Sequence, residues 1–179
     1  TRVRSLTQDD AHIFCEMEQV PQEIKSQVSW MFKVYEKVFG FSDLSVELST
    51  RPEDKVGSDE IWDVAEKSLS DTLKEIGLDY KLNPGDGAFY GPKIDFHLKD
   101  ALKRTWQVAT FQLDFNMAER FDLKYTSKDG EEKRPVVIHR AILGSVERFF
   151  GILIEHMGGA FPFWLTPVQA NIIAVSDEK

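Results

Sequence analysis

Cysteine is nearly absent from this 179-residue sequence: Cys15 stands alone, so the chain can form no internal disulfide and offers no Cys-x-x-Cys metal site. No run of about 18 uncharged apolar residues occurs, which excludes a transmembrane helix of the usual kind. The stretch holding Arg2, Arg4, Asp9 and Asp10 does not read as a signal peptide, so a cytoplasmic protein with no membrane partner is expected. Basic charge is in deficit, with a formal net charge of −8, and this argues against a general nucleic-acid coat. Internal repeats and low-complexity tracts are missing as well. No Gly-Lys-Ser/Thr opens a helix and no GxGxxG occurs, so the common nucleotide loops are excluded. What remains, 42% apolar and 29% charged, is the composition of an ordinary globular domain with one sizeable core.

The apolar periodicity divides this domain into helices and strands. From Glu18 to Phe39, Ile24, Val28, Met31, Phe32, Tyr35 and Val38 recur at helical spacing, and Gly40 ends the run. Ser58 or Asp59 caps a second helix carrying Ile61, Trp62, Ala65, Leu69, Leu73 and Ile76, with Gly77 after it. "SVELST", "KIDFHL", "TWQVATFQLDF", "FDLKYT" and "RPVVIH" read as strands, "SKDGEE" as a hairpin turn, and the segment after His139 as a last helix. Strands joined by short turns pair antiparallel, so the fold class is α+β, an antiparallel sheet flanked by helices. "ANIIAV" is a further strand candidate with no partner of its own, approached through the prolines of "FPFWLTPVQ".

Several stretches carry polar groups in patterns that suit chemistry. In "GSVER" an arginine, Arg148, enters the first turn of a helix, where a cation costs a few tenths of a kcal/mol unless an anion compensates it. In "TQDDAHIF", strand alternation puts Gln8, Asp10 and His12 on one face; a solvated edge explains such a face at least as readily as a site. Alternation in "WQVATFQLDF" puts Gln107 and Ala109 on one face and Trp106, Val108 and Thr110 on the other. "GDGAFYGPKIDF" packs Gly85, Gly87 and Gly91 around Tyr90, either to admit a ligand to the backbone or simply to turn the chain. His139 on its own reads as a satisfied core histidine, His97 and His156 have ordinary strand and helix-end settings, and "STRPEDK" and "KDGEEKR" read as solvated loops.

Together, "TRVRSLTQDDAHIFC", "LSTRPE", "GDGAFYGPKIDF", "FQLDF" and "VIHRAILGSVERFFGILIEH" closely resemble the catalytic domain of the threonyl-tRNA synthetase family within the class II aminoacyl-tRNA synthetases, from Thr1 to Gln169. The resemblance implies ATP-dependent activation of threonine and its transfer to the 3′ end of tRNA(Thr) by a homodimeric enzyme. It implies that Arg148 and Arg2 meet ATP, that Gln107 and Gln112 lie beside the nucleotide and its magnesium, and that Lys93 and Arg148 serve the reaction. Gln8, Asp10 and Tyr90 are expected to hold the amino acid, and His12 and His139 to be two of three protein ligands of a zinc ion. The family's third zinc ligand is a cysteine upstream of the stretch matched here, and Cys15 does not occupy its place. Motif 1 and the first strand of motif 2 likewise precede the stretch matched by Thr1. The expectation is therefore a core fragment, inactive alone, with residues 1–165 in the catalytic domain and 166–179 opening an anticodon-binding domain. Leu6 stands where the family places a phenylalanine on adenine. The alternative from another class is a non-catalytic synthetase-like binding module.

Overall fold

Apolar residues at helical and at alternating spacing close one core between a sheet and its helices. The computed structural model describes residues 3–176, and Arg2 lies outside them. The strands are β1 (Ala11–Cys15), β2 (Leu44–Ser49), β3 (Lys81–Asn83), β4 (Lys93–Lys99), β5 (Thr105–Asp114), β6 (Tyr125–Thr126), β7 (Glu132–Lys133) and β8 (Val136–Ala141). The α-helices are α1 (Val20–Phe32), α2 (Asp59–Glu75), α3 (Asn116–Arg120) and α4 (Val146–Met157). A six-stranded sheet runs in the order β1-β8-β5-β4-β2-β3, and β6 pairs with β7 in a separate hairpin. Five adjacent strands are antiparallel; β3 lies parallel to β2 because α2 carries the chain over between them.

Helix α1 is prolonged by a π-helical turn over Lys33–Val38, which delivers Tyr35 into the core, fully buried, with its hydroxyl donating to the Ile142 carbonyl at 2.7 Å. Val20, Ile24, Val28 and Met31 of α1, Ala65, Leu69 and Leu73 of α2, and Phe149, Ile152 and Leu153 of α4 join one apolar cluster with Ile94, Phe96, Leu98, Phe111, Leu113 and Ile138 of the sheet. Ser58 caps α2 by accepting from the Ile61 N–H, as its place in the sequence predicts.

Three expectations need correction. "FDLKYT" is not a sheet strand: its chain leaves β5 through α3 and contributes only Tyr125–Thr126 to the small hairpin, so β8 pairs with β5 and β1 instead. "ANIIAV" forms no strand among the described residues, and with no neighbouring strand to bond, Ile172 and Val175 stand fully exposed. "STRPEDK" is not simply a solvated loop, since Arg51 clamps the face of α2, bonding Glu66 at 2.8 and 3.0 Å and also reaching Asp63.

Candidate functional site

Helices cover one face of the sheet, and the other face carries the polar residues in register. Ser49 pairs with Lys93, Lys93 with Gln112, Gln112 with His139, and His139 with His12, so one row crosses β2, β4, β5, β8 and β1. Directly opposed side chains on neighbouring strands lie close enough to interact. Accordingly the His12 and His139 rings meet edge to face with centroids 4.6 Å apart, and Tyr90, from the loop before β4, packs at 5.3 Å from His139 while its hydroxyl bonds Gln112.

A cavity of about 220 Å³ opens beside this row, lined by Gln8, Asp10, Tyr90, Gln112 and His139 together with Thr110, Arg140 and Ala141. Its size and polarity suit a small polar molecule rather than a large apolar one. A larger cleft, about 410 Å³, lies between Phe14, Leu123, Tyr125 and Pro135, away from these groups. Gln8 and Asp10 reach the cavity from outside regular structure: β1 begins only at Ala11, and Gln8 makes an isolated bridge with Ser145. Gln8 and Asp10 are exposed, as a solvated edge would have them, and both line this one concavity.

The segment holding them is fixed by a residue that periodicity passes over. The Asp9 carboxylate accepts from the Ile142, Leu143 and Gly144 N–H groups at 2.9–3.1 Å, just ahead of α4. Thr7 donates its N–H to both oxygens of Glu147, at 2.9 and 3.0 Å, and accepts from the Val146 N–H. These backbone bonds hold the Glu147 carboxyl down at about 2. Negative charge at the start of α4 thus comes from Asp9 and Glu147, both favoured by the helix dipole. Arg148 turns away from them and donates to the Gln107 carbonyl at 2.6 Å; it has no ion-pair partner among the described residues.

Beneath Gln107 lies a second polar centre. Asp95, 2% exposed on β4, accepts from Gln107 Nε2 at 2.7 Å, Thr110 Oγ1 at 2.9 Å and Ser49 Oγ at 3.0 Å, and pairs with Lys93 Nζ at 2.9 Å. Burial opposes the lysine's charge, but the bonds to Asp95 and Asp86 outweigh it and lift Lys93 above the usual lysine range. Gln107 and Thr110 share this partner because β5 bulges: two steps of β4, from Asp95 to His97, oppose three steps of β5, from Thr110 to Gln107. The alternation expected for "WQVATF" is broken there, and Val108 and Ala109 are both buried.

His139 also has a carboxylate behind it. Asp114, 1% exposed, bonds His139 Nε2 at 2.9 Å with one oxygen and caps α3 through the Asn116 and Met117 N–H groups with the other. Burial pushes this carboxyl up, but His139 and the two N–H groups hold it below the usual carboxylate range. A neutral imidazole whose second nitrogen is held by a carboxylate is the usual setting of a metal-binding histidine. His12 and His139 are thus two neighbouring imidazoles of the kind that zinc takes as ligands. Among the described residues no third His, Cys, Asp or Glu joins them.

Two of the three glycines before β4, Gly87 and Gly91, serve protein contacts. A Cβ on Gly91 would lie 1.6 Å from the Leu113 carbonyl oxygen and one on Gly87 2.5 Å from that of Thr50, so both are places where backbone passes backbone. The approach of Gly91 to β5 is what brings Tyr90 over Gln112. His156 keeps its ordinary helix-end setting, bonding the Phe39 carbonyl and stacking on Phe41, whereas His97 on β4 has its Nδ1 buried without a partner among the described residues. Leu6 is half exposed.

The family model for the tRNA synthetase class II core domain (G, H, P, S and T) matches residues 1–157. The chain belongs to the class II tRNA synthetase core-domain family. Within that family it is 60% identical, over 99% of its length, to the threonine–tRNA ligase of Finegoldia magna, and 60% identical over 98% to threonine–tRNA ligase 2 of Bacillus subtilis. It spans only 28% and 27% of those relatives. A crystal structure described as the RNA binding domain of threonyl-tRNA synthetase from Cryptosporidium parvum superposes with a TM-score of 0.84 at 52% identity, covering 93% of this chain and 42% of that one. A threonyl-tRNA synthetase structure from Aeropyrum pernix superposes at 0.81 with 35% identity, covering 93% of this chain and 40% of that one. The helix-backed sheet described above is thus the fold of the family's core, and no helix of the described residues is long and apolar enough to cross a membrane.

Proposed function

We propose that the protein containing this chain is a threonine–tRNA ligase, and that the polar face of the sheet holds threonine and ATP while threonyl-adenylate forms and is passed to the 3′ end of tRNA(Thr). The observation that carries this reading is the cavity of about 220 Å³ in which Gln8, Asp10, Tyr90, Gln112 and His139 converge from four separate stretches of a chain about 60% identical to threonine–tRNA ligases.

In this reading the amino acid lies between Gln8, Asp10 and Tyr90, with Asp10, whose carboxylate has no bond to another described residue, free to accept from the substrate hydroxyl. The nucleotide lies along Gln112, Gln107 and Arg148, with magnesium accompanying its phosphates and Arg2 contributing from outside the described residues. Arg148 gives up its carbonyl partner for phosphate, a stronger and bidentate one. Threonine's carboxylate then attacks the α-phosphorus in line and pyrophosphate leaves. No protein nucleophile is needed, because positioning and charge neutralisation by Lys93, Arg148 and the glutamines supply the rate. His12 and His139, with a third protein ligand, would hold zinc, which when bound would supply Lewis-acid recognition of the substrate's amino and hydroxyl groups, and valine would leave Asp10 unsatisfied. A homodimeric, cytoplasmic enzyme with an anticodon-binding domain from about residue 166 completes the proposal. Threonine-dependent exchange of pyrophosphate into ATP by the full-length protein is the test; exchange with no amino acid, or with serine or proline in preference to threonine, refutes it.

A further inference from the structure

Among the polar groups on the site face, Asp95, 2% exposed, meets four side-chain partners, and no step of the reaction proposed above uses it. It accepts from Gln107, Thr110 and Ser49 and pairs with Lys93, so one carboxylate ties three neighbouring strands together at the nucleotide end of the cavity. Two of its partners, Lys93 and Gln107, are the residues that the reading above sets against the reacting groups. Lys93 has a side chain only 14% exposed, and its two carboxylate contacts are Asp95 at 2.9 Å and Asp86 at 3.3 Å. Asp86 is a surface residue, 60% exposed, so its hold on the ammonium is weak and solvent-screened. The network continues outward through Gln112, which donates to Thr110 at 3.4 Å and receives the Tyr90 hydroxyl.

We propose that Asp95 is a positioning residue: its carboxylate fixes the Lys93 ammonium and the Gln107 amide in the orientation needed for adenylate formation, without itself touching substrate. The role rests on the functional reading above. A buried carboxylate that accepts Gln107 and Thr110 on one oxygen and Ser49 and the Lys93 ammonium on the other defines the place of each, whereas an amide turned with its nitrogen to the lysine would present a donor and push it away. The β5 bulge belongs to the same device, since without it Gln107 and Thr110 would face opposite sides and could not share the Asp95 oxygen.

The test is a cycle of variants in the full-length protein, read by steady-state pyrophosphate exchange and by thermal melting. Asp95→Asn is expected to lower kcat on the order of 10- to 100-fold, the loss that misplacement of reacting groups brings. The KM for threonine should move no more than about 3-fold, as expected when only transition-state contacts are lost. Adding Asp95→Asn to Lys93→Met should cost clearly less than Asp95→Asn costs in the wild type, because one of the two groups being positioned is gone. Asp95→Glu, which keeps the charge, should recover most of kcat. Losses that multiply independently, or a folded Asp95→Glu protein no better than Asp95→Asn, overturn the role. If Asp95→Asn does not fold, Asp95→Glu is read alone, and a folded Asp95→Glu protein with kcat lowered about 10-fold or more overturns the role. A wild-type protein without threonine-dependent exchange removes the functional reading and this role with it, a result distinct from exchange that Asp95 does not influence.

Discussion

Two adjacent aspartates in "QDDAH" are expected to fail in opposite ways when replaced. Asp9 accepts from three backbone N–H groups in the loop before α4, with contacts of 2.9–3.1 Å, while Asp10 faces the cavity with no bond to another described residue. A hydrogen bond to a charged group contributes about 1.5–3 kcal/mol net, so three of them would sum to about 5–9 kcal/mol. Asp9 is 23% exposed, however, and in Asp9→Ala water reaches some of the freed donors, which reduces the expected cost to about 2–4 kcal/mol. For a domain of this size that corresponds to a fall in Tm of about 4–16 °C. Gln8 and Asp10 flank Asp9 and are carried into the cavity by it, so threonine KM should rise as well. Asp10→Ala should leave Tm within a degree or two, because exposed side chains without partners change stability by less than about 0.5 kcal/mol. Its effect should fall on discrimination between threonine and valine. Calorimetry of the full-length protein, following this domain's transition, together with exchange assays on both amino acids, measures each quantity. Equal melting of the two variants, or loss of threonine selection in Asp9→Ala alone, would refute the division of roles.

The remaining expectations concern single groups. Arg148→Ala should raise the transition-state barrier by about 2–4 kcal/mol with the fold intact, and an unchanged ATP dependence of exchange returns Arg148 to its bond with the Gln107 carbonyl as its whole role. Replacing His12 or His139 by alanine should lower zinc content, measured by elemental analysis, together with activity; full zinc occupancy in both variants ends the metal assignment. Burial, with the nearby Glu23 charge, pushes the Cys15 thiol up to about 11, so its thiolate fraction at pH 8 is on the order of one in a thousand and iodoacetamide should label it only on unfolding or at high pH. Stoichiometric labelling of Cys15 in the native protein at pH 8 contradicts that.

The helices were the most legible part of the fold. Ile24, Val28, Met31 and Tyr35, and Ala65, Leu69 and Leu73, recur at the spacing that a half-buried helix requires, and Ser58 stands where an N-cap belongs. Strand alternation was less informative where it mattered most. Gln107 and Gln112 are separated by an odd number of residues and would face opposite sides of an ideal strand; the β5 bulge brings both to the polar face, and nothing in "WQVATFQ" announces a bulge. Likewise Asp9 and Asp10 cannot be told apart by residue type, since which one turns toward the loop before α4 depends on contacts more than 130 positions away. Asp95 was open to discovery: Lys93, Asp95 and His97 alternate with Ile94, Phe96 and Leu98, so one polar and one apolar face are written into "KIDFHL".

The arginine in the first turn of α4 shows how the separate parts depend on one another. A helix N-terminus and a guanidinium are both positive, and in isolation they repel. Asp9 and Glu147 supply the compensating charge from the protein itself, and in doing so they staple the Thr7–Asp9 segment to the helix. That staple sets Gln8 and Asp10 at the cavity and leaves Arg148 directed at the Gln107 backbone, with donors to spare, over the nucleotide end of the proposed site. The same local conflict therefore fixes the geometry of the amino-acid end and keeps a cation available at the other. Removing Glu147 should accordingly loosen the first and leave the second, so that Glu147→Gln raises threonine KM more than ATP KM. The opposite order in exchange kinetics would show that Glu147 acts on Arg148 rather than on the segment that Thr7 anchors.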